Sequence, residues 1–174
     1  MAKKRKKFME MLLKKVQKLQ YFLKSLLFQR HILDKRMQYQ YKEFEIDSGK
    51  STARKKTILR PMIPVIILHN KQYVMYEALL DSGSDFNIFP SEIADILGLS
   101  LSKGKRKTIS GIGKGTIKGY EHEVTFRIGN KTIITKAIFS TGFPSHAFGA
   151  LGNDGFFSHF RILFNYNDRT IEIN

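Results

Sequence analysis

At 174 residues the chain has room for one domain and an appendage, but not for two ordinary domains. It contains no cysteine, which excludes disulfides and thiolate metal sites, and its five histidines never stand at a paired ligand spacing. No metal or cofactor is expected. Charge is uneven: residues 1–60 hold 18 Lys and Arg against 5 Asp and Glu, and the remainder holds 12 against 10, so a nearly neutral domain follows a strongly basic arm.

The run Lys3-Lys4-Arg5-Lys6-Lys7 looks like the start of a signal peptide, but Lys14, Lys15, Lys18 and Lys24 then interrupt every apolar stretch. A bilayer span needs about 20 predominantly apolar residues, and none is present, so a soluble, cytoplasmic protein is expected. Across residues 8–33, Leu12, Val16, Leu19, Phe22, Leu23, Leu26 and Leu27 recur at three- and four-residue steps. That is the helical period and predicts a basic amphipathic helix. Such a helix packs on the domain or on a partner chain, or it contacts an anionic surface, nucleic acid or membrane, through residues 1–30.

Residues 34–57 are polar and read as a linker. Within them Gly49-Lys50-Ser51 ends like a phosphate-binding loop, but the first glycine would have to stand at position 44, which is Phe44. Asp47-Ser48-Gly49 lacks an apolar strand leading into it.

From residue 58 onward short β-rich runs alternate with turn signals, which predicts a small all-β domain over 58–174. Strands are expected at 62–68 and 73–80, joined across His69-Asn70-Lys71, with a brief apolar run at 87–89. A helix over 91–97 is expected to be capped by Ser91 and ended by Gly98. Strands at 107–110 and 116–121 flank a glycine-rich tip. Those at 124–128 and 132–139 meet through Gly129-Asn130. A short helix over 155–160 and two strands, 161–164 and 170–173, close the chain.

The chemistry centres on Asp81-Ser82-Gly83, which an apolar strand delivers into a tight turn. The tripeptide alone is common in turns. Further on, however, come the glycine-rich tip Gly111-Ile112-Gly113 and then Phe148-Gly149-Ala150-Leu151-Gly152, an apolar pair ending in glycine before the predicted short helix. In this order the elements resemble the retropepsin family of aspartic proteases, over about residues 57–174. A dinucleotide loop would need a glycine where Thr116 stands, and a helix rather than a strand after it.

The resemblance implies a small closed retropepsin-like barrel with one or two short helices, preceded by the helical arm. It also implies a homodimer in which each chain supplies one catalytic Asp81, acting on a peptide or protein substrate. Asp81, Ser82 and Gly83 would form the catalytic turn. Gly111, Ile112 and Gly113 would form a flap, Asp85 would bind the substrate backbone, and Phe148 and Ala150 would line side-chain pockets. A hydroxyl at Ser84 would stabilise the ionised carboxylate and make the pH optimum more acidic. Family members place Arg after the second apolar-apolar-Gly element; here Asn153 stands there, which leaves open how the floor of the site is braced. Strands 170–173 and 56–59 would serve a dimer sheet of chain ends, with self-cleavage between 48 and 60. The alternative is a non-catalytic retropepsin-like dimerisation or peptide-binding module whose basic arm contacts nucleic acid or an anionic membrane.

Overall fold

The structure, a computed structural model, describes residues 37–46, 56–110, 115–143 and 147–174. The predicted basic helix, the Asp47–Thr52 cluster and the tip glycines Gly111 and Gly113 with Ile112 lie outside the described residues. Twelve strands are described: β1 (Met37–Gln40), β2 (Lys42–Ile46), β3 (Lys56–Arg60), β4 (Met62–His69), β5 (Gln72–Leu80), β6 (Ile88–Pro90), β7 (Lys105–Ser110), β8 (Thr116–Ile128), β9 (Lys131–Ser140), β10 (Ala150–Leu151), β11 (Ile162–Asn165) and β12 (Thr170–Ile173). The α-helical content among the described residues is α1 (Ser91–Ile96), followed by a 3-10 turn at Leu101–Lys103. The chain is all-β, as its patterning predicts.

The main sheet runs β4-β5-β10-β6-β9-β8-β7, and an additional pairing of β4 with β8 returns hydrogen bonding to the first strand. Period-two patterning explains which faces turn inward. Ile63, Val65 and Ile67 of β4 and Val124, Phe126 and Ile128 of β8 are buried, whereas Pro64, Glu123 and Arg127 between them are exposed. They enclose Phe89, Phe126, Phe139 and Phe156, all four fully buried. Each such side chain contributes about 1.5–3 kcal/mol, and a one-residue slip would turn a whole set outward, so the register is strongly held.

A second sheet, β1-β12-β11, puts Ile171 and Ile173 into the same core. A third element is the β2–β3 pair. Surface ion pairs join β2 to its surroundings, Lys42 to Glu77 and Arg169 to Glu43; each contributes well under about 1 kcal/mol.

Several expectations need correction. Residues 37–46 are strands rather than linker: β1 pairs with β12 and β2 with β3. The compact unit therefore begins at Met37, and the expected boundary at residue 57 falls inside β3. Their polar composition hides a period-two pattern in which Phe44 and Ile46 are half-buried between exposed Glu43 and Glu45.

The strands expected at 116–121 and 124–128 are one strand, β8, which pairs with β7 along its first part and with β9 along its second. The polar stretch around His122-Glu123 marks where one edge of β8 passes from β7 to β4 while the other stays on β9, not a break. Strand 170–173 forms as β12, but β1 and β11 occupy its two edges, and 56–59 pairs with β2. Among the described residues β12 therefore has no open edge, whereas β3 keeps one.

No helix forms over 155–160. Phe157 N–H donates to the Gly152 carbonyl at 3.1 Å and Ser158 N–H to the Asn153 carbonyl at 3.2 Å, wider turns than an α-helix makes. Gly155 has φ 103°, which no right-handed helix accommodates. Pro90, not Ser91, is the N-cap of α1, and no side chain caps it. Gly98 past its end has φ 66°, and Gly129 has φ 53° at the first position of the two-residue β8–β9 turn, as expected.

Candidate active site

Strand β5 ends at Leu80 because three backbone bonds then hold the chain: Leu79 N–H donates to the Gly149 carbonyl at 2.8 Å, Leu80 N–H to Pro61 at 2.9 Å and Asp81 N–H to Leu151 at 3.1 Å. Asp81 follows at the start of a turn closed by Ser84 N–H on its carbonyl at 3.0 Å. Its carboxylate Oδ1 accepts the Gly83 N–H, also at 3.0 Å, an Asx-type turn that aims the side chain. A Cβ on Gly83 would stand 3.2 Å from that oxygen, a tight fit, so glycine suits the position.

The second wall is β10, which pairs in parallel with β5 and antiparallel with β6. Gly152 after it lies so close to Phe86 that a Cβ would stand 2.3 Å from the Phe86 carbonyl oxygen. Asn153 then ties this segment to the Asp81 turn. Its side-chain amide donates to the Ser82 carbonyl at 2.9 Å, and its N–H donates to the Ser84 carbonyl at 2.9 Å. Asp154 N–H adds a bond to the Asp85 carbonyl at 2.8 Å. The open bracing question therefore has a neutral answer: one amide side chain and a short parallel ladder.

Beneath them lies Asn87, fully buried. Its Oδ1 accepts the Gly152 N–H at 3.0 Å, and its Nδ2 donates to the Lys136 carbonyl at 2.9 Å. Thr135 Oγ1 donates to the Gly155 carbonyl at 2.8 Å. Sequence reasoning missed Asn87 and Thr135. The available signal was an amide set directly between Phe86 and the apolar pair Ile88-Phe89.

A cleft of about 950 Å³ opens over this floor, lined on one side by Asp81, Gly83, Ser84, Asp85, Phe86 and Ile88. The opposite side is the stem of the β7–β8 hairpin, Thr108, Ile109, Ser110, Gly115, Thr116 and Ile117. Lys107 links the two sides. Its ammonium pairs with Glu121 at 3.2 Å and lies 5.0 Å from the Phe86 ring centroid.

The structure thus brings Asp81, Gly83, Ser84 and Asp85 together and places the stem of the glycine-rich hairpin above them. Ser82 is exposed at the crest of the turn. Gly111, Ile112 and Gly113 are outside the described residues. Phe148 packs edge-on against Phe44 at 4.8 Å and lies 5.2 Å from the Arg60 guanidinium. Ala150 sits in β10 between Leu79 and Ile88. Neither is among the residues lining the cleft.

The role expected for the Ser84 hydroxyl is also corrected. Its one proton goes to the Phe86 carbonyl at 2.8 Å, so it does not solvate the Asp81 carboxylate. Among the described residues no three His, Asp or Glu side chains converge as metal ligands, and no helix is long and apolar enough to cross a membrane.

No protein-family model matches the chain, and no curated protein matches it. Among solved structures it is similar to EIAV protease complexed with the inhibitor HBY-793, at 23% identity over 53% of this chain and 81% of that one, with a TM-score of 0.40. It is also similar to a retropepsin-like aspartic protease from Rickettsia conorii, at 16% identity over 77% of this chain and 98% of that one, with a TM-score of 0.49.

Proposed function

We propose that the chain is an aspartic endopeptidase whose catalytic pair consists of two copies of Asp81, one from each subunit of a homodimer. The observation that carries this reading is the placing of Asp81. Its carboxylate is fixed by a backbone N–H on the floor of a cleft of about 950 Å³, faced by the stem of a glycine-rich hairpin.

Two carboxylates about 3 Å apart cannot both ionise, so they share one proton. The ionised Asp81 takes a proton from a water molecule as that water attacks the scissile carbonyl carbon. The protonated Asp81 donates to the carbonyl oxygen, giving a neutral tetrahedral diol. Collapse of the diol breaks the C–N bond, the leaving nitrogen receives a proton from the pair, and no acyl-enzyme forms. Asp85, exposed at the cleft margin, hydrogen-bonds the substrate backbone. The β7–β8 hairpin closes over an extended peptide and excludes water.

The test is incubation of the full chain and Asp81→Asn with a mixed peptide library between about pH 4 and pH 7, with and without a pepstatin-type inhibitor. Cleavage by the wild type should be inhibitor-sensitive and should fall by about 10³-fold or more in the variant, with an unchanged melting temperature. Cleavage that survives Asp81→Asn removes the proposal. Peptide binding without turnover in the wild type would favour the binding-module reading instead.

A further inference from the structure

The β7–β8 hairpin reaches over the cleft as a ribbon of two strands. β7 and β8 pair from Lys105 opposite Glu121 to Ser110 opposite Thr116, but β9 takes up β8 only from Tyr120 onward. Gly119 marks where that support ends. A Cβ there would stand 2.5 Å from Ile138 Cγ2 and 2.9 Å from the Phe139 carbonyl oxygen, so β8 is seated hard on β9. One residue nearer the tip, the Ser140 hydroxyl donates to the Lys118 carbonyl at 2.6 Å. Past these two ties, among the described residues, no third strand pairs with the ribbon, and two strands alone are marginally ordered in water.

Lys107 stands directly opposite Gly119, at the same boundary but on the other strand. Period two puts its side chain on the face of Ile109, which lines the cleft. Its ammonium lies 5.0 Å from the Phe86 ring centroid and is held there by Glu121 at 3.2 Å. The Lys107 and Glu121 side chains are only 27% and 11% exposed. Withdrawn from water in this way, a cation is attracted to a ring face more strongly than at an open surface.

Phe86 is a firm anchor for that contact. Its carbonyl accepts the Ser84 hydroxyl at 2.8 Å, its backbone bridges to Asp154, and Gly152 packs closely against it. Ser84 N–H also closes the turn on the Asp81 carbonyl. Lys107 therefore joins β7 to the same segment that fixes Asp81.

We infer that Lys107 is a positioning residue: its cation, held by Glu121 on the Phe86 ring, sets the height of the hairpin stem above Asp81 and keeps the cleft ready for an extended peptide. It touches no reacting atom. Gly119 and Ser140 hold β8 at this boundary, and Lys107 does the same for β7. Without its charge the stem spends less time in the substrate-ready position, and apparent affinity falls in proportion. Chemistry in the closed complex keeps its rate. The kinetic consequence rests on the proposed protease reading, whereas the effect on the hairpin itself does not.

The test is Lys107→Gln in the full chain, which keeps a donor for Glu121 but no charge for the ring. KM for peptide cleavage should rise about five- to tenfold with kcat within about twofold of the wild type. Amide hydrogen exchange over residues 105–110 should quicken at least about threefold. Lys107→Arg, which restores a cation over the ring, should return both values to near the wild type. Lys105→Gln, which removes an exposed charge from the same strand, should change neither. In a Phe86→Leu background Lys107→Gln should have no further effect on KM or on exchange.

Unchanged KM and exchange in Lys107→Gln, an equal change in Lys105→Gln, or an undiminished effect in the Phe86→Leu background would each overturn the inference. Cleavage by the wild type in those cases leaves the protease reading standing. Quickened exchange in Lys107→Gln, in a protein that cleaves no peptide, removes the protease reading alone.

Discussion

The Asn153 side-chain amide donates to the Ser82 carbonyl at 2.9 Å, so an uncharged residue fastens the turn that carries Asp81 to the segment following β10. The bond is near the surface and spans 71 positions of sequence. It needs a donor at the end of a short side chain, and no charge.

Asn153→Ala and Asn153→Asp both remove that donor. A partly exposed hydrogen bond of this kind is worth about 1 kcal/mol, so the melting temperature should fall by only about 2–4 °C. Peptide cleavage should fall further, by about tenfold to a hundredfold, because the carboxylate loses its fixed position. Steady-state kinetics beside thermal melts check this. Equal losses in activity and in folded fraction would reduce Asn153 to an ordinary stabilising residue.

Gly152 and Gly115 make a contrasting pair. A Cβ at Gly152 would lie 2.3 Å from the Phe86 carbonyl oxygen and 2.8 Å from its nitrogen, whereas one at Gly115 would meet nothing within 4 Å. Backbone cannot move aside as a flexible side chain can, so Gly152→Ala should cost about 3 kcal/mol. Gly115→Ala should stay within about 0.5 kcal/mol of the wild type. Urea denaturation of both variants measures the difference.

What was legible in the sequence was mostly local. The alternation in β4 and β5, the Asp81-Ser82-Gly83 turn and the glycines after α1 and in the β8–β9 turn each announce themselves within a few residues. Strands β1 and β2 did not, because Lys42, Glu43 and Glu45 make the stretch look like linker and because the partner of β1 is β12, at the far end of the chain.

Residues 155–160 misled in the opposite direction. Phe156, Phe157 and Phe160 have helical spacing, and Phe156 is fully buried, but the left-sided φ of Gly155 and the long bonds to Gly152 and Asn153 impose a different turn. Within the site, the acid could be read from its motif. The partners of the braces, Asn87 and Asn153, could not, even where the amide of Asn87 between apolar neighbours gave a signal, since a polar residue reveals its partner only when the chain has folded back on it.

Ser84 provides a direct check on the site's electrostatics. Its hydroxyl donates to the Phe86 carbonyl at 2.8 Å, so Ser84→Ala removes a local bond of about 1 kcal/mol and leaves the Asp81 carboxylate with the same Gly83 donor. The pH–rate profile should keep its position while the melting temperature drops slightly. A profile displaced by a full pH unit in the variant would mean that the hydroxyl turns to the carboxylate when substrate is bound.

Alkaline stability should depend on Tyr39, whose phenol burial raises above its ordinary value of 10.0. Tyr39 lies in β1 opposite Ile171 of β12, so ionising it would place a negative charge against a packed sheet. The native state holds the phenolic proton more tightly than the unfolded chain does. The resulting stability is therefore fully present below about pH 10 and is lost as the pH rises from there through the native titration. Tyr41 is raised in the same direction, by burial and then by the charge of Tyr166, so wild-type stability should decline in that window. Tyr39→Phe removes one of the two phenols. In urea midpoints measured between about pH 9 and pH 11, the difference between variant and wild type should move steadily in favour of Phe. A difference that stays constant with pH would show that the ring, and not its proton, sets the stability of the β1–β12 pair.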